Sequence, residues 1–490
     1  MTARAWRDSR LLRRRLRVRG HAIGRARCAG GWTVLSLAVI VVLTAVLDAW
    51  SLAARSIWID EGVSLQAAHF DGDEFLHFIT REEMNMAFYH LLLRVWIRLG
   101  DDEVTVRSLS LLAALATLPA IYLLARRLFS PRVGLLSALF LGLNPMHYSY
   151  ARETRAYALT LLLVVLGSYL FLRATSEGRV REWIAYVLVM TLAAYSHFFA
   201  IFVIVAHGGY LLLRRDSRLR PAVLSFAALA VLLVPILAYI AFGGQAGRVT
   251  AGTPTIRDIL FVAPSLTGRE AFFFYAPAAF VALIAARGRP PFSPTNAESY
   301  RFLLLWLAMP VALALAVTVA GKPILVSRYL LVCLPALVIL VAAAISELRR
   351  TWLFVAVAGA ATVLAAWTVL SCHPGCRTEI EDWRGVEQLV RAEWRPGDQI
   401  SFDPLYMVIP FNYYAGAGEF ARRRSSSPLG YPALADPPMH RPKHRHWIVV
   451  DDQDPKRRGA APAKQLLGGH DSWSFADDLV VLRSRTVSPP

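Results

Sequence analysis

The sequence predicts a polytopic α-helical membrane protein of about eleven transmembrane helices. Interfacial helices are expected in its first external loop, and a small extracytoplasmic α/β domain after the last span. Three observations predict this. First, 56% of the 490 residues are hydrophobic and only 18% are charged, against roughly 25% charged in an ordinary soluble domain. Second, the apolar excess falls in runs of about 20 residues, the length a helix needs to cross a ~30 Å hydrocarbon layer. Third, every other loop between those runs is rich in arginine, as the positive-inside rule requires. A soluble all-helical protein would need polar helix faces, which these runs lack.

Residues 1–31 are a basic tail, with ten arginines and one acid, Asp8, in the first 30. Such a tail holds the N-terminus in the cytoplasm. Much of the net charge of +18 is therefore local. No aromatic–basic motif accompanies it, so nucleic acid is not an expected partner. The first apolar run, 32–52, is long for a signal-peptide core and lacks a good small-residue cleavage pattern, so it reads as a retained span. The other spans are expected at 105–124, 133–147, 157–172, 183–196, 198–213, 223–242, 272–286, 303–320, 325–345 and 352–370. Together, 32–371 form the membrane domain. The arginine-rich loops 125–132, 173–181, 214–220, 286–301 and 347–350 then lie in the cytoplasm. Asp60-Glu61, Arg152–Arg155, His197, the 243–269 loop, Lys322 and the C-terminal tail share the outer side of an inner or plasma membrane.

Within the first external loop, 53–104, residues 75–81 look helical. The segment 86–99 (MAFYHLLLRVWIRL) is short, amphipathic and carries Arg94 and Arg98. It is expected to lie at the membrane interface, an extra span being the minority reading. After residue 371 the composition turns polar. Residues 381–394 read as a helix, RPGD at 395–398 as a turn, and 399–402, 446–450 and 479–482 as strands. Residues 421–445, rich in Arg, Ser, Pro and His, read as a loop. Cys372 and Cys376, two of the four cysteines, could close a small disulfide loop on the outer side. Zinc is the weaker reading, with no second pair of ligands nearby.

Asp60 and Glu61, in SIWIDEGVS, stand just beyond the first span. A carboxylate there can take a proton from an acceptor hydroxyl or amine as that group attacks a sugar carbon, and a low-dielectric setting would raise its pKa toward a useful value. By residue type alone, a solvated acid pair is the simpler reading. Arg152 and Arg155 lie in YARETRAYAL, and Arg328 in ILVSRYLL with Lys322 before it. Arginine in or beside a span is costly unless paired, and its planar fork suits a phosphate. Snorkelling to headgroups explains Arg152 reasonably and Arg328 less well. His197, in AAYSHFFAIF, either touches a ligand or caps a tight helical hairpin. Asn85, Tyr89 and His90 in NMAFYH are candidate pocket residues, and Asp382-Trp383 reads as a helix N-cap with a packed tryptophan. There is no Walker A loop, glycine-rich dinucleotide turn, HExxH or GxSxG, so a cytoplasmic nucleotide-sugar mechanism has no support.

Taken in order, these motifs resemble the C-type glycosyltransferase superfamily, in particular its bacterial family-39-like branch, related to protein O-mannosyltransferases and lipid A aminoarabinose transferases. WIDEG resembles the first-loop acidic motif. NMAFYHLLLRVWIRLGDDEVTVRSLSLL resembles the interfacial helix leading into a span that opens with Arg107-Ser108, although Ala87 stands where the family has proline. ARRLFSPRVGLLSALFLGLNPMHYSYARETRAYAL resembles the next helix pair with its outward turn. SHFF and SRYLLVCLPAL resemble later motifs, and DWRGVEQLV with PGDQISF the opening of the outer domain. The likeness covers most of the chain, weakly over 215–300.

The resemblance implies a polyprenyl-phosphate-sugar donor taken from among the membrane lipids, and transfer to a glycan, lipid or protein acceptor on the outer face, with inversion. Carried over residue by residue, Asp60 is the base and Glu61 assists it or binds substrate. Arg155 and Arg328 hold the donor phosphate, with Lys322 and His197 nearby. Asn85, Tyr89, His90, Arg152 and Tyr329 would line the pocket. Relatives differ in their use of a divalent metal, so metal dependence stays open, as do sugar and acceptor. A transporter or lipid flippase should instead show mid-span charges and a repeated topology, and neither is evident. A non-enzymatic envelope scaffold is the third reading.

Overall fold

The computed structural model describes residues 31–50, 52–214, 219–242, 294–348, 350–371, 381–396, 398–416, 445–451, 470–475 and 479–484; these are the residues meant wherever something is said to be absent. The first span, α1 (Gly31–Ala49), presents Val34, Val42 and Val46 outward, as a lipid-facing helix should. The chain after it folds into α2 (Ile59–Ala68), α3 (Gly72–His77), a π turn (Phe78–Glu82), a 3-10 turn (Met84–Met86) and α4 (Ala87–Trp96). Helix α4 starts at Ala87. It buries Tyr89, His90 and Leu93 while the apolar Leu91 and Val95 stay exposed. Arg94 donates to the carbonyls of Ala68 (3.2 Å) and Phe70 (2.5 Å), placing its charge at the C-terminal end of α2, where the helix dipole favours it.

The membrane bundle continues with α5 (Glu103–Leu128), α6 (Pro131–Gly142), α7 (Pro145–Ala151), α8 (Tyr157–Glu177), α9 (Val180–Ser196), α10 (Ala200–Arg214), α11 (Leu219–Leu232), α12 (Val234–Phe242), α13 (Pro294–Val319), α14 (Leu334–Ser346) and α15 (Thr351–Ser371). Caps set the boundaries. Asp102 accepts from the N–H groups of Val104 and Thr105 at the start of α5. Gly178, with φ +67°, closes α8. The expected span 133–147 is not one helix. Asn144 accepts from the N–H groups of Met146 and His147 and begins a new helix, because Pro145 has no N–H with which to continue the old one. Helices α11 and α12 meet at a 44° bend, beside Pro235. Among the described residues, six helices are long and apolar enough to cross a membrane alone, and the bent pair makes a seventh. The chain is a multi-pass membrane protein. The expected segment 272–286, the basic tail 1–30, and Cys372 and Cys376 lie outside the described residues.

Helix α14 is almost wholly buried, whereas α15 shows Val355, Val363 and Trp367 to the outside. Small residues let helices approach: a Cβ on Gly142 would meet Thr44 Oγ1 at 2.5 Å, the close contact that helix association in lipid relies on. Deep in the bundle, His207 uses both ring nitrogens, on Ser168 and Tyr186 at 3.1 Å each. Its ring stacks on Phe171 and on Phe302, at 4.5 and 5.6 Å.

After the bundle come α16 (Trp383–Glu393), β1 (Gln399–Asp403), α17 (Val408–Ala415), β2 (His446–Asp451), β3 (His470–Phe475) and β4 (Leu479–Ser484). The sheet order is β1-β2-β4-β3, with β1 and β2 parallel and the other pairs antiparallel. Trp383, Val386, Val390, Phe402, Phe411, Trp447 and Val481 form its core. Buried Asp398 accepts from Arg395 N, Arg445 and Trp447 Nε1, which fixes the turn into β1. Strand β3 was not among the expected elements; its sequence, HDSWSF, mixes charge and serine with the aromatics.

Candidate functional site

The two adjacent acids have different surroundings. Both lie in the first turn of α2, where the helix dipole favours negative charge. Glu61 turns inward and is 1% exposed, as is its partner Arg107. Arg107 spends all five of its N–H donors. Nε and Nη2 reach the two Glu61 oxygens at 2.9 and 2.7 Å. The remaining three N–H groups go to the carbonyls of Leu52, Arg55 and Ser56. The Thr154 N–H donates to Glu61 Oε1 at 2.8 Å. Burial pushes the Glu61 carboxyl up, but Arg107 and Thr154 outweigh it and hold the group below its ordinary value.

Asp60 turns the other way, 28% exposed, between two guanidiniums. Its Oδ2 lies 3.5 Å from Arg328 Nη1 and 3.8 Å from Arg155 Nη2. Arg155 comes from the turn between α7 and α8, and Arg328 from the 3-10 turn Ser327–Cys333 before α14. Arg155 also donates to the Asp60 carbonyl and to Ser64 Oγ, both at 3.2 Å, and to Glu83 Oε1 at 3.3 Å. Glu83 is a second carboxylate that the sequence reading missed. Burial raises its carboxyl above the ordinary value; Arg155 opposes the shift and the Asp60 charge adds to it. The Nε atoms of Arg155 and Arg328 are buried with no hydrogen-bond partner among the described residues. Two guanidinium N–H groups of the cluster thus lack an acceptor among the described residues, which fits a group that brings its own anionic oxygens.

The other expected site residues divide into three sets. His197 and Tyr329 join the cluster's edge, with ring centroids 5.1 Å apart. His197 Nδ1 accepts from Phe199 N at 3.3 Å, which leaves the proton on Nε2, a buried atom without a partner among the described residues. Burial, then Arg155 and Arg328, push the His197 pKa down to about 3, so the ring is a neutral donor. Asn85, Tyr89 and His90 stand behind the cluster rather than lining it. Asn85 accepts from Phe198 N at 2.9 Å and so holds the His197 turn. Tyr89 bonds Ser110 at 3.0 Å, and His90 reaches Ser64 at 3.4 Å. Arg152 and Lys322 are not brought to the cluster. Arg152 lies 3.7 Å over the Tyr148 ring and donates to the Tyr148 carbonyl. Lys322 is exposed and makes no ion pair among the described residues. No group of three or more His, Cys, Asp or Glu side chains there could hold a metal ion.

Residues 86–241 match the family model of dolichyl-phosphate-mannose-protein mannosyltransferases. That stretch includes Arg155 and His197 but not Asp60, Glu83 or Arg328. By sequence, no curated protein matches the chain. By structure, it is similar to ArnT from Cupriavidus metallidurans bound to undecaprenyl phosphate, with a TM-score of 0.61 at 16% identity, covering 94% of this chain and 100% of that one. The apo state of that protein aligns with a TM-score of 0.62 at 15% identity, with the same coverage. The apo oligosaccharyltransferase of Archaeoglobus fulgidus aligns with a TM-score of 0.54 at 11% identity, over 78% of this chain and 64% of that one. The resemblance to the C-type glycosyltransferase superfamily read from the motifs is borne out: the chain has that fold.

Proposed function

We propose that the chain is a lipid-linked glycosyltransferase that moves a sugar from a polyprenyl-phosphate donor to an acceptor at the outer face of the membrane. The observation that carries this reading is Asp60 held between Arg155 and Arg328, each with an unused buried Nε–H. In the proposed reaction an acceptor O–H or N–H attacks the anomeric carbon and Asp60 takes its proton. The bond from that carbon to the phosphate oxygen breaks, and the lipid phosphate leaves with the electron pair. The two guanidiniums stabilise the charge that develops on it. Attack from the face opposite the leaving group inverts the anomeric centre. His197 adds a neutral Nε2–H donor. Glu61 touches Arg107 and backbone alone, so we assign it a positioning role in place of the assisting role expected from the motif.

The likeness to a structure holding undecaprenyl phosphate supports the donor class by analogy of fold. The arginine-rich loops support a cytoplasmic N-terminus and an outer C-terminal unit, spanning 372–490, in a plasma or inner membrane. Charge on the leaving group is assigned to the two arginines. The test is to incubate purified protein in lipid nanodiscs with radiolabelled polyprenyl-phosphate sugars and candidate acceptors. Release of lipid phosphate coupled to sugar transfer is the expected result. Donor that binds but stays intact across the whole panel of sugars and acceptors would sink the enzyme reading.

A further inference from the structure

The loop that delivers Asp60 is held from two sides. From within the bundle, Arg107 grips the carbonyls of Leu52, Arg55 and Ser56. From outside, the C-terminal unit grips the same stretch. Tyr414 Oη accepts the Ile57 N–H at 2.7 Å and donates to Glu103. Arg384 donates to Glu103 Oε1 and Oε2 at 2.7 and 2.5 Å and to the Ala53 carbonyl at 3.1 Å. Ser56 Oγ donates to Asp382 and accepts from Arg384 N, both at 3.2 Å. Helix α17 presses on α2 where the side chain is smallest: a Cβ on Gly62 would stand 3.1 Å from Ile409 Cγ2. Tyr414 packs against the bundle core and the sheet core alike.

We infer that Glu103, Arg384 and Tyr414 form a latch by which the C-terminal unit sets the position of Asp60, making Arg384 and Tyr414 positioning residues for transfer. None of the three touches the Asp60 carboxylate or the two arginines beside it. Glu103 ties Arg384 to Tyr414, these two bond the backbone at Ala53 and Ile57, and α2 begins at Ile59, so a shift of that segment carries Asp60 with it. The backbones that carry Arg155 and Arg328, in the turn between α7 and α8 and in the 3-10 turn before α14, make no bond to the latch. Loosening the latch therefore shifts the base, together with the α2 groups that Arg155 holds, relative to the backbones that carry the two arginines.

This inference rests on the proposed transferase reading, and its test has one arm that does not. In the full-length protein, Arg384→Met and Tyr414→Phe are compared with wild type and with the charge-conserving Arg384→Lys. Hydrogen–deuterium exchange should rise in peptides covering 52–62 and stay unchanged in α8 and α9. Unchanged exchange at 52–62 overturns the latch, whatever the chemistry. In the transfer assay, kcat should fall about 10- to 100-fold, the cost of a misplacement on the order of 1 Å, with donor KM and undecaprenyl-phosphate binding within about twofold, and Arg384→Lys recovering part of the loss. A parallel loss of kcat, donor binding and thermal stability would show a merely structural contact and overturn it too. Absent turnover in wild type counts against the transferase reading alone, because the exchange arm still decides the latch.

Discussion

Asp60 and Glu61 share a peptide bond, and the regions they enter are built on opposite plans. Around Glu61 every donor has an acceptor: Arg107 is saturated and sealed from solvent. Around Asp60 the pairing is looser, at 3.5 and 3.8 Å, a quarter open to solvent, with guanidinium donors left over. A saturated ion pair cannot bind anything further without breaking. An under-paired one can. The contrast separates a fastening from the proposed working site within two residues, and it gives each a different signature on mutation.

The contrast breaks most sharply at Asp60. Asp60→Asn should lower transfer by about 10²- to 10⁴-fold while shifting stability by under about 1 kcal/mol; a melting point that collapses with activity would remove the distinction. Next in size is Arg107→Met, which leaves Glu61 buried without its partner and should cost about 3–5 kcal/mol. The measure is thermal unfolding in detergent, and adding Glu61→Leu should return much of the loss. Arg328→Ala, on the open side, should raise the donor Kd about 10- to 100-fold, the value of a charge-assisted contact of ~1.5–3 kcal/mol, with little change in melting. Normal donor affinity would deny it a phosphate role.

The smallest effect belongs to Glu83. Below its raised pKa it is neutral and leaves Arg155 to the donor; above that pKa it ionises and competes. A phosphodiester donor keeps one charge throughout, so affinity should fall a few-fold as pH rises through this value. Glu83→Gln should hold affinity at its low-pH level, and an undiminished pH slope in that variant would show that another group titrates.

The apolar spans were legible because a run of that length has no other use in a chain this poor in charge. Where the run hides a break, as at Asn144-Pro145, hydropathy cannot see it, since the capping bonds depend on one side chain within an apolar stretch. At the site, Asp60, Arg155 and Arg328 could be named from residue type, span edge and loop charge. Arg152 and Arg155 looked equivalent, three residues apart in one motif. They part because residues 152–156 form a turn rather than a helix, so no periodicity says which faces inward. Glu83 sat in a polar Glu-Glu pair with nothing to mark it. Arg107 was visible only as a charge at the start of a span, and its partner, 46 residues away, could not be read without the fold.

His207 has a consequence for how the chain is put together. Its hydrogen-bond partners lie on α8 and α9, which leave the ribosome before it, whereas Phe302 arrives with α13, nearly a hundred residues later. Synthesis runs from the N-terminus, so both groups that pair the imidazole are already made when it emerges, as a polar group placed in lipid requires. The late helix then needs only to lay a flat aromatic ring on a surface already finished. The polar bonds of the imidazole thus come from residues that precede it in the chain, and the late helix supplies only an apolar face.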